Sequence, residues 1–375
     1  MASRTPASGT THLFPLFNKD RRLPEGRAHS EIDSRPEMKA IVLREHGDNS
    51  ALKLETDFPD PVAGEGEVVL RVRASSLNYH DVFTRRGMPG IKLPFPVIIG
   101  LDVAGEIASI GPGVKGWSVG ERVLVDPINR VTGGLVGETT HGGLAEFCRV
   151  PEHQLVRLPD SVSFDDAAAL PVAYGTALRM MQRIGQIKAG ERVLILGASG
   201  GVGVCAVQLA KLAGAEVVAC AGSREKGERL RELGADDIIY YTEEDFVEVV
   251  RTRYGKAARR RGAANNGGVD VVVNFTGGDT WTRSLRTLRQ GGRVLTCGAT
   301  AGFDPKEDLR FIWTFELQIR GSNGWEREDL HELLDLVASG KLRVLIDRKW
   351  PLEDGAQALA SLENRQVVGK VLVGA

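Results

Sequence analysis

Only four cysteines occur in the 375-residue chain, Cys148, Cys205, Cys220 and Cys297, and no two form a Cys-x-x-Cys pair. Their scatter argues against a disulfide framework and against a cysteine-rich structural zinc site. Each is expected to pack as a small buried apolar group in a reducing compartment, the cytoplasm. An excess of one charge is also missing. With 48 Lys and Arg against 49 Asp and Glu the formal net charge is −1, so no bulk field recruits nucleic acid or an anionic membrane. No run of about 18 apolar residues exists, so no transmembrane helix is expected. What remains is a protein of ordinary globular composition, long enough for about two domains.

Glycine is plentiful, at 45 residues, and falls in short clusters between apolar runs, the pattern of many βα connections. Residues 1–37 are rich in Ser, Thr, Pro and Arg without apolar periodicity and read as a disordered N-terminal extension, although Met38 could itself be the start. Over 38–164 short strands (38–43, 67–73, 97–99, 104–110, 122–125) are punctuated by Gly and Pro, which predicts a β-rich, barrel-like domain. Over 165–324 apolar strands at 192–196, 216–220, 237–240, 269–274, 292–297 and 317–320 alternate with helices such as 202–213 and 225–233. That alternation predicts a parallel sheet covered on both faces. The basic, Asn- and Gly-rich stretch 255–268 reads as a solvated loop. Residues 325–375 carry two helices, near 327–338 and 353–363, and a last strand, 369–373; they are expected to return to the first domain.

Strand 192–196 runs into Gly197-Ala198-Ser199-Gly200-Gly201-Val202-Gly203 and then into an amphipathic helix. That is the setting of a dinucleotide turn: glycines admit the pyrophosphate, and the first helical N–H groups and the helix dipole stabilise its charge. The same letters match Gly-x-Ser-x-Gly, the nucleophile elbow of α/β-hydrolases. A hydrolase needs a later His on a loop, and the only His beyond Ser199 is His331, inside a helical run. A tight turn without a ligand is the other alternative. The end of the second strand selects the cofactor. An acid there would bind the ribose 2′-hydroxyl of NAD. Here stand Gly222, Ser223, Arg224 and Lys226, a set suited to a 2′-phosphate, so NADP(H) is expected.

The segments Asn78-Tyr79-His80-Asp81, Gly100-Leu101-Asp102-Val103-Ala104-Gly105, Gly116-Trp117-Ser118-Val119-Gly120-Glu121-Arg122-Val123-Leu124, Gly142-Gly143-Leu144-Ala145-Glu146, the glycine turn, Leu233-Gly234-Ala235-Asp236 and Gly369-Lys370 together resemble the medium-chain dehydrogenase/reductase superfamily. Within it the chain is similar to the zinc-independent quinone oxidoreductases, over nearly all of 38–375. The resemblance implies an α/β protein: a Rossmann doubly wound parallel sheet over 165–324 that binds NADP, plus a GroES-like β-barrel catalytic domain over 38–164, rejoined by 325–375. It also implies an active site in the cleft and a homodimer built through Rossmann edge strands. Zinc enzymes of the superfamily use a Cys, a His and a further Cys or acid as metal ligands. Here those places hold Asn78, Leu101 and, nearby, Val172, so no metal is expected. In similar reductases a Gly, a Lys and a Tyr hold the 2′-phosphate, matching Gly222, Lys226 and Tyr241. The resemblance further places Thr176 near the nicotinamide, and Asn274, Cys297 and Thr300 around its ribose.

Without a Lewis acid, alcohol oxidation loses its usual driver. Hydride transfer from NADPH to a quinone or an α,β-unsaturated carbonyl is then the expected activity. An alcohol dehydrogenase or aldehyde reductase of the same fold, and a non-catalytic NADPH-binding protein, are the alternatives. Asn78, Tyr79 and His80 are the candidate catalytic donors, His80 for its pKa. His141 is a weaker one. Phe83 and Pro89 stand where related enoyl-thioester reductases carry tyrosine, so their proton-donating tyrosine is absent.

Overall fold

In the computed structural model, residues 37–258 and 267–374 are described. The N-terminal extension up to residue 36, and most of the expected solvated loop at 255–268, lie outside the described residues; Glu37, expected in the extension, opens a strand.

Six parallel strands form one sheet in the order Asp237–Tyr240, Glu216–Ala221, Arg192–Ile195, Val269–Val273, Leu288–Thr296, Gln318–Gly321. Numbered along the chain this is the 3-2-1-4-5-6 order of a dinucleotide-binding sheet. Its switch point falls between Arg192–Ile195 and Val269–Val273, which pair through Val193 with Val271 and Ile195 with Val273. Those residues are fully buried because helices cover both faces, which is why the strands read as unbroken apolar runs. Helix Gly201–Leu212 leaves the first strand through the glycine turn, and helix Arg224–Glu232 leaves the second.

The other lobe is antiparallel. Glu67–Leu77 pairs with Asp102–Ile110, then Arg122–Val125, then Leu155–Arg157, and also with Phe147–Pro151. A second sheet joins Leu52–Pro59, Glu37–Leu43 and Val97–Ile98. The last strand, Lys370–Gly374, lies antiparallel to Glu67–Leu77 and parallel to Ile346–Pro351.

Two helical features were not evident from periodicity. Helix Tyr79–Arg86 is short and polar, and its start is set by Asp81, whose carboxylate accepts from the Asn78 N–H at 2.7 Å while the Asp81 N–H donates to the Asn78 carbonyl at 3.0 Å. Thr176–Leu178 sits between wide π-type turns at Leu170–Gly175 and Arg179–Ile184. Such turns re-aim side chains, and here they flank Thr176.

One apolar core crosses between the lobes. Ala74, Ala104 and Leu124 pack with Ala168, Leu170 and Tyr174, and these with Val193, Val204 and Leu372. Cys148, Cys205 and Cys220 are buried and Cys297 is half-buried, all as free thiols.

Candidate active site

The glycine turn is built by close approach. A Cβ on Gly203 would lie 2.4 Å from the Gly197 carbonyl oxygen. Gly197 itself has φ +67°. Gly200 caps helix Gly201–Leu212 without a side-chain hydrogen bond, which leaves the N-terminal amides open to an anion. Ser199 and Val202 complete the turn, half-buried. These features fit a dinucleotide pyrophosphate.

At the ends of the next two strands, Gly222 and Tyr241 meet: a Cβ on Gly222 would stand 2.6 Å from the Tyr241 hydroxyl oxygen. Ser223 caps helix Arg224–Glu232, its hydroxyl accepting from the Lys226 N–H at 3.3 Å. The Lys226 ammonium donates to the Arg365 carbonyl at 2.7 Å. Burial lowers the Lys226 pKa, helped by the Arg365 charge and opposed by Asp347 and Glu225. Arg224 turns elsewhere. It pairs with Glu243 at 2.5 Å and lies 4.0 Å over the Tyr240 ring. Sequence reasoning missed Arg365, which reaches this corner from 139 residues away along the chain with no local signal.

Asn274, fully buried, has its amide engaged locally. Its nitrogen donates to Thr280 and Ser284 and its oxygen accepts from the Thr276 and Gly277 N–H groups. It shapes the loop at the strand tip rather than presenting a free donor. The Thr300 N–H bonds the Phe275 carbonyl across to that loop at 3.3 Å. The Cys297 thiol is pushed up to about 12 by burial and stays protonated.

Across the cleft, the positions matching the zinc ligands do come together, around Asp102 rather than a metal. The Asn78 side-chain nitrogen donates to the Asp102 carboxylate at 2.8 Å, and the Val172 N–H donates to its other oxygen at 3.0 Å. The Lys370 ammonium, 2% exposed, enters the same cluster. It donates to the Leu77 carbonyl at 2.9 Å and to the Asn78 side-chain oxygen at 2.5 Å, and lies 3.5 Å from Asp102. With Leu101 and Val172 unable to ligate and an ammonium already present, these residues do not fit a catalytic zinc. Among the described residues no three His, Cys, Asp or Glu side chains gather into a metal site. Asp81 joins from below, its second oxygen accepting from the Gly100 N–H at 3.1 Å. Burial raises its pKa to about 6, against the Asn78 N–H and His80.

His80 lies one residue before Asp81, and its Nε2 is 2.6 Å from a Glu138 carboxylate oxygen. Tyr79 packs edge-on against Phe83. His141 is turned to structure, its Nδ1 accepting from the Ile98 N–H at 3.2 Å. His331, required by the hydrolase alternative, is on the exposed side of helix Arg327–Ala338. Trp325 packs against the residue before Thr176: its indole N–H donates to buried Asp126 at 3.1 Å, and its ring lies where a Gly175 Cβ would be.

Two family models match the chain. One is described as "Alcohol dehydrogenase GroES-like domain", over 64–160, and the other as "Zinc-binding dehydrogenase", over 201–339. A crotonyl-CoA reductase of Streptomyces avermitilis is 30% identical, the alignment covering 98% of this chain and 91% of that protein. A quinone oxidoreductase of Lama guanicoe is 30% identical over 90% of this chain and 97% of the relative. A solved structure of the 2-octenoyl-CoA carboxylase reductase CinF, in complex with NADP and 2-octenoyl-CoA, superposes with a TM-score of 0.78 at 28% identity, covering 91% of this chain and 88% of the other.

Proposed function

The chain belongs to the medium-chain dehydrogenase/reductase superfamily of nicotinamide-dependent oxidoreductases, and we propose that within it this protein is an NADPH-dependent reductase of quinones or α,β-unsaturated carbonyls. The observation that carries the reading is the Asn78, Asp102 and Lys370 cluster. Where a zinc enzyme would polarise an alcohol, this site has no Lewis acid to offer, so its acceptor must already be electrophilic. An enone, an enoyl thioester and a quinone all meet that condition. The names of the relatives fall in the same group.

The cofactor would rest on Gly197, Ser199, Gly200, Gly201, Val202 and Gly203, with its 2′-phosphate near Gly222, Ser223, Lys226, Tyr241 and Arg365. When bound it supplies a hydride. The chain's own residues hold the acceptor in the cleft between Thr176 and the 78–80 segment, exclude water there and stabilise the charge that develops on the acceptor oxygen. A panel of phenanthrenequinone, methyl vinyl ketone and crotonyl-CoA, each with NADPH and NADH, tests this. Acceptor-dependent oxidation that favours NADPH and survives dialysis against a chelator is expected. Tight NADPH binding with no oxidation by any acceptor would favour the non-catalytic alternative, and loss of activity on metal removal would refute the zinc-free site.

A further inference from the structure

We propose that Glu138 is a positioning residue that holds His80 as the proton donor of this reduction, a pairing that rests on the functional reading above. His80 belongs to the first turn of helix Tyr79–Arg86, next to the Asn78 cluster. Glu138 comes from a separate segment, 126–142, and the two side chains meet through Nε2 and Oε2 at 2.6 Å, with Glu138 only 15% exposed.

The segment bearing Glu138 is fixed at both ends. At its base, Arg130 bonds Asp126 at 3.0 Å and the Trp325 carbonyl at 2.7 Å, beside the Gly175–Thr176 corner. At its tip, Gly137 and Gly142 lie against the Gly100 backbone so closely that a Cβ on either would come within 3.0 Å of it. Gly100 is the residue whose N–H is held by Asp81. Base and tip therefore bracket the space between Thr176 and His80, and the glycine contacts leave Glu138 little freedom to swing away.

The geometry fixes which nitrogen works. An ionised Glu138 accepts, so Nε2 carries a proton in either charge state of the ring. The remaining nitrogen, Nδ1, makes no hydrogen bond among the described residues. The second proton of the imidazolium is then on Nδ1, free to be given. Charges around the ring agree: burial opposes the cation, but the Glu138 hydrogen bond and the Asp81 and Glu138 charges outweigh it and raise the His80 pKa. Beyond Asp81 stand Asp102 and Lys370, of opposite sign and paired to each other.

The step balances. An enone would gain the hydride at its electron-poor β-carbon and a quinone would gain it at a carbonyl oxygen, the two electrons being supplied by bound NADPH, which becomes NADP+. The resulting enolate gains the Nδ1 proton at its α-carbon, or a quinolate gains it at oxygen. His80 is left neutral with Nε2–H still on Glu138, and bulk water restores the lost proton.

Two readouts test this. Glu138→Gln removes the charge and keeps the shape, and Glu138→Asp keeps the charge. Nitrogen-15 NMR of the histidine rings, assigned with His80→Asn and read without any acceptor, gives the His80 titration. In E138Q its pKa is expected to fall by about one unit or more, as for loss of an opposite charge at this range, and E138D is expected to restore most of the shift. With an acceptor, the high-pH falling limb of kcat is expected to move to lower pH by the same amount in E138Q. An unmoved titration in E138Q, or H80N retaining the wild-type rate and pH profile, would overturn the proposal. If no quinone or enone oxidises NADPH the functional reading falls, whereas the titration still decides whether Glu138 holds the proton on His80.

Discussion

Gly201 leaves room for Lys370: a Cβ on Gly201 would stand 2.8 Å from the Lys370 Cδ. The contact joins the first turn of the cofactor helix to the cluster on the other side of the cleft. The neighbouring backbone makes the same link, with the Gly369 N–H donating to the Ser199 carbonyl at 2.8 Å. The glycine turn is thus bonded to the C-terminal strand whose next residue orders Asn78.

Lys370→Met should therefore act on both sides. It leaves the Asp102 carboxylate buried with only the Asn78 and Val172 donors, and breaking a buried pair from one side costs about 3–5 kcal/mol. Urea denaturation should show that loss. Asp102→Asn in the same chain should recover part of it, because no unpaired charge then remains. Equal and additive losses in the single and double variants would show that the pair is not coupled.

The two basic residues after the second strand should differ in their effect on cofactor choice. Lys226 stands in the Gly222, Tyr241 and Arg365 corner, whereas Arg224 is held by Glu243 and Tyr240. A charge-assisted bond contributes about 1.5–3 kcal/mol, so Lys226→Gln should weaken NADPH about 10-fold to 100-fold while leaving NADH nearly unchanged. Arg224→Gln should weaken NADPH much less. Fluorescence titration of both cofactors checks it; an equal loss for NADPH and NADH would undo the 2′-phosphate assignment.

The parts of this molecule that were legible in the sequence follow from local pattern. The parallel strands showed as apolar runs, and helices expected at 202–213 and 225–233 are found at Gly201–Leu212 and Arg224–Glu232. The glycine turn was legible because strand, turn and helix adjoin. What escaped is carried by contacts distant in sequence. Glu138 meets His80 across 58 residues, and Lys370 meets Asn78 across 292, and neither pairing leaves a periodic trace. Helix Tyr79–Arg86 was missed because its residues are polar and its stability comes from the Asn78 and Asp81 cap and from tertiary clamps, such as the Arg85 pair with Glu363 at 2.9 Å. The resemblance and its strand-tip position set Asn274 beside the ribose, but neither reveals that its amide is already engaged with Ser284 and the Thr276 N–H.

Buried Asp81 should make the protein less stable as pH rises. Its folded pKa, about 6, is above the ordinary Asp value because burial penalises the carboxylate. Between those two values the folded state binds more protons than the unfolded state. The stabilisation is full below the ordinary Asp value and is lost as pH rises through about 6. Asp81→Asn should flatten this part of the stability curve, at a fixed cost from one lost acceptor for the Asn78 or Gly100 N–H. Urea midpoints from pH 4 to pH 7, at roughly half-unit steps, would show it. A slope unchanged by the substitution would assign the pH dependence to other groups.

The edge of the parallel sheet gives the last expectation, on assembly. Among the described residues, strand Gln318–Gly321 pairs on its Leu288–Thr296 side alone, and no described strand covers its other edge. Ile319 on that strand is 47% exposed, and Trp313, just before it, is 65% exposed. An open edge beside exposed apolar side chains invites pairing, and a closed two-fold arrangement satisfies it without running on into a fibre. A homodimer through this edge is therefore expected. Sedimentation velocity should find a dimer for the wild-type chain and a monomer when Ile319→Lys and Trp313→Glu are combined. The candidate active site is assembled within one chain, around Asn78, Asp102, Lys370 and the glycine turn, so the monomer should keep most of its cofactor affinity. A variant that stays dimeric would move the interface elsewhere on the surface. A monomer that loses the cofactor would mean that the partner chain supports the cleft.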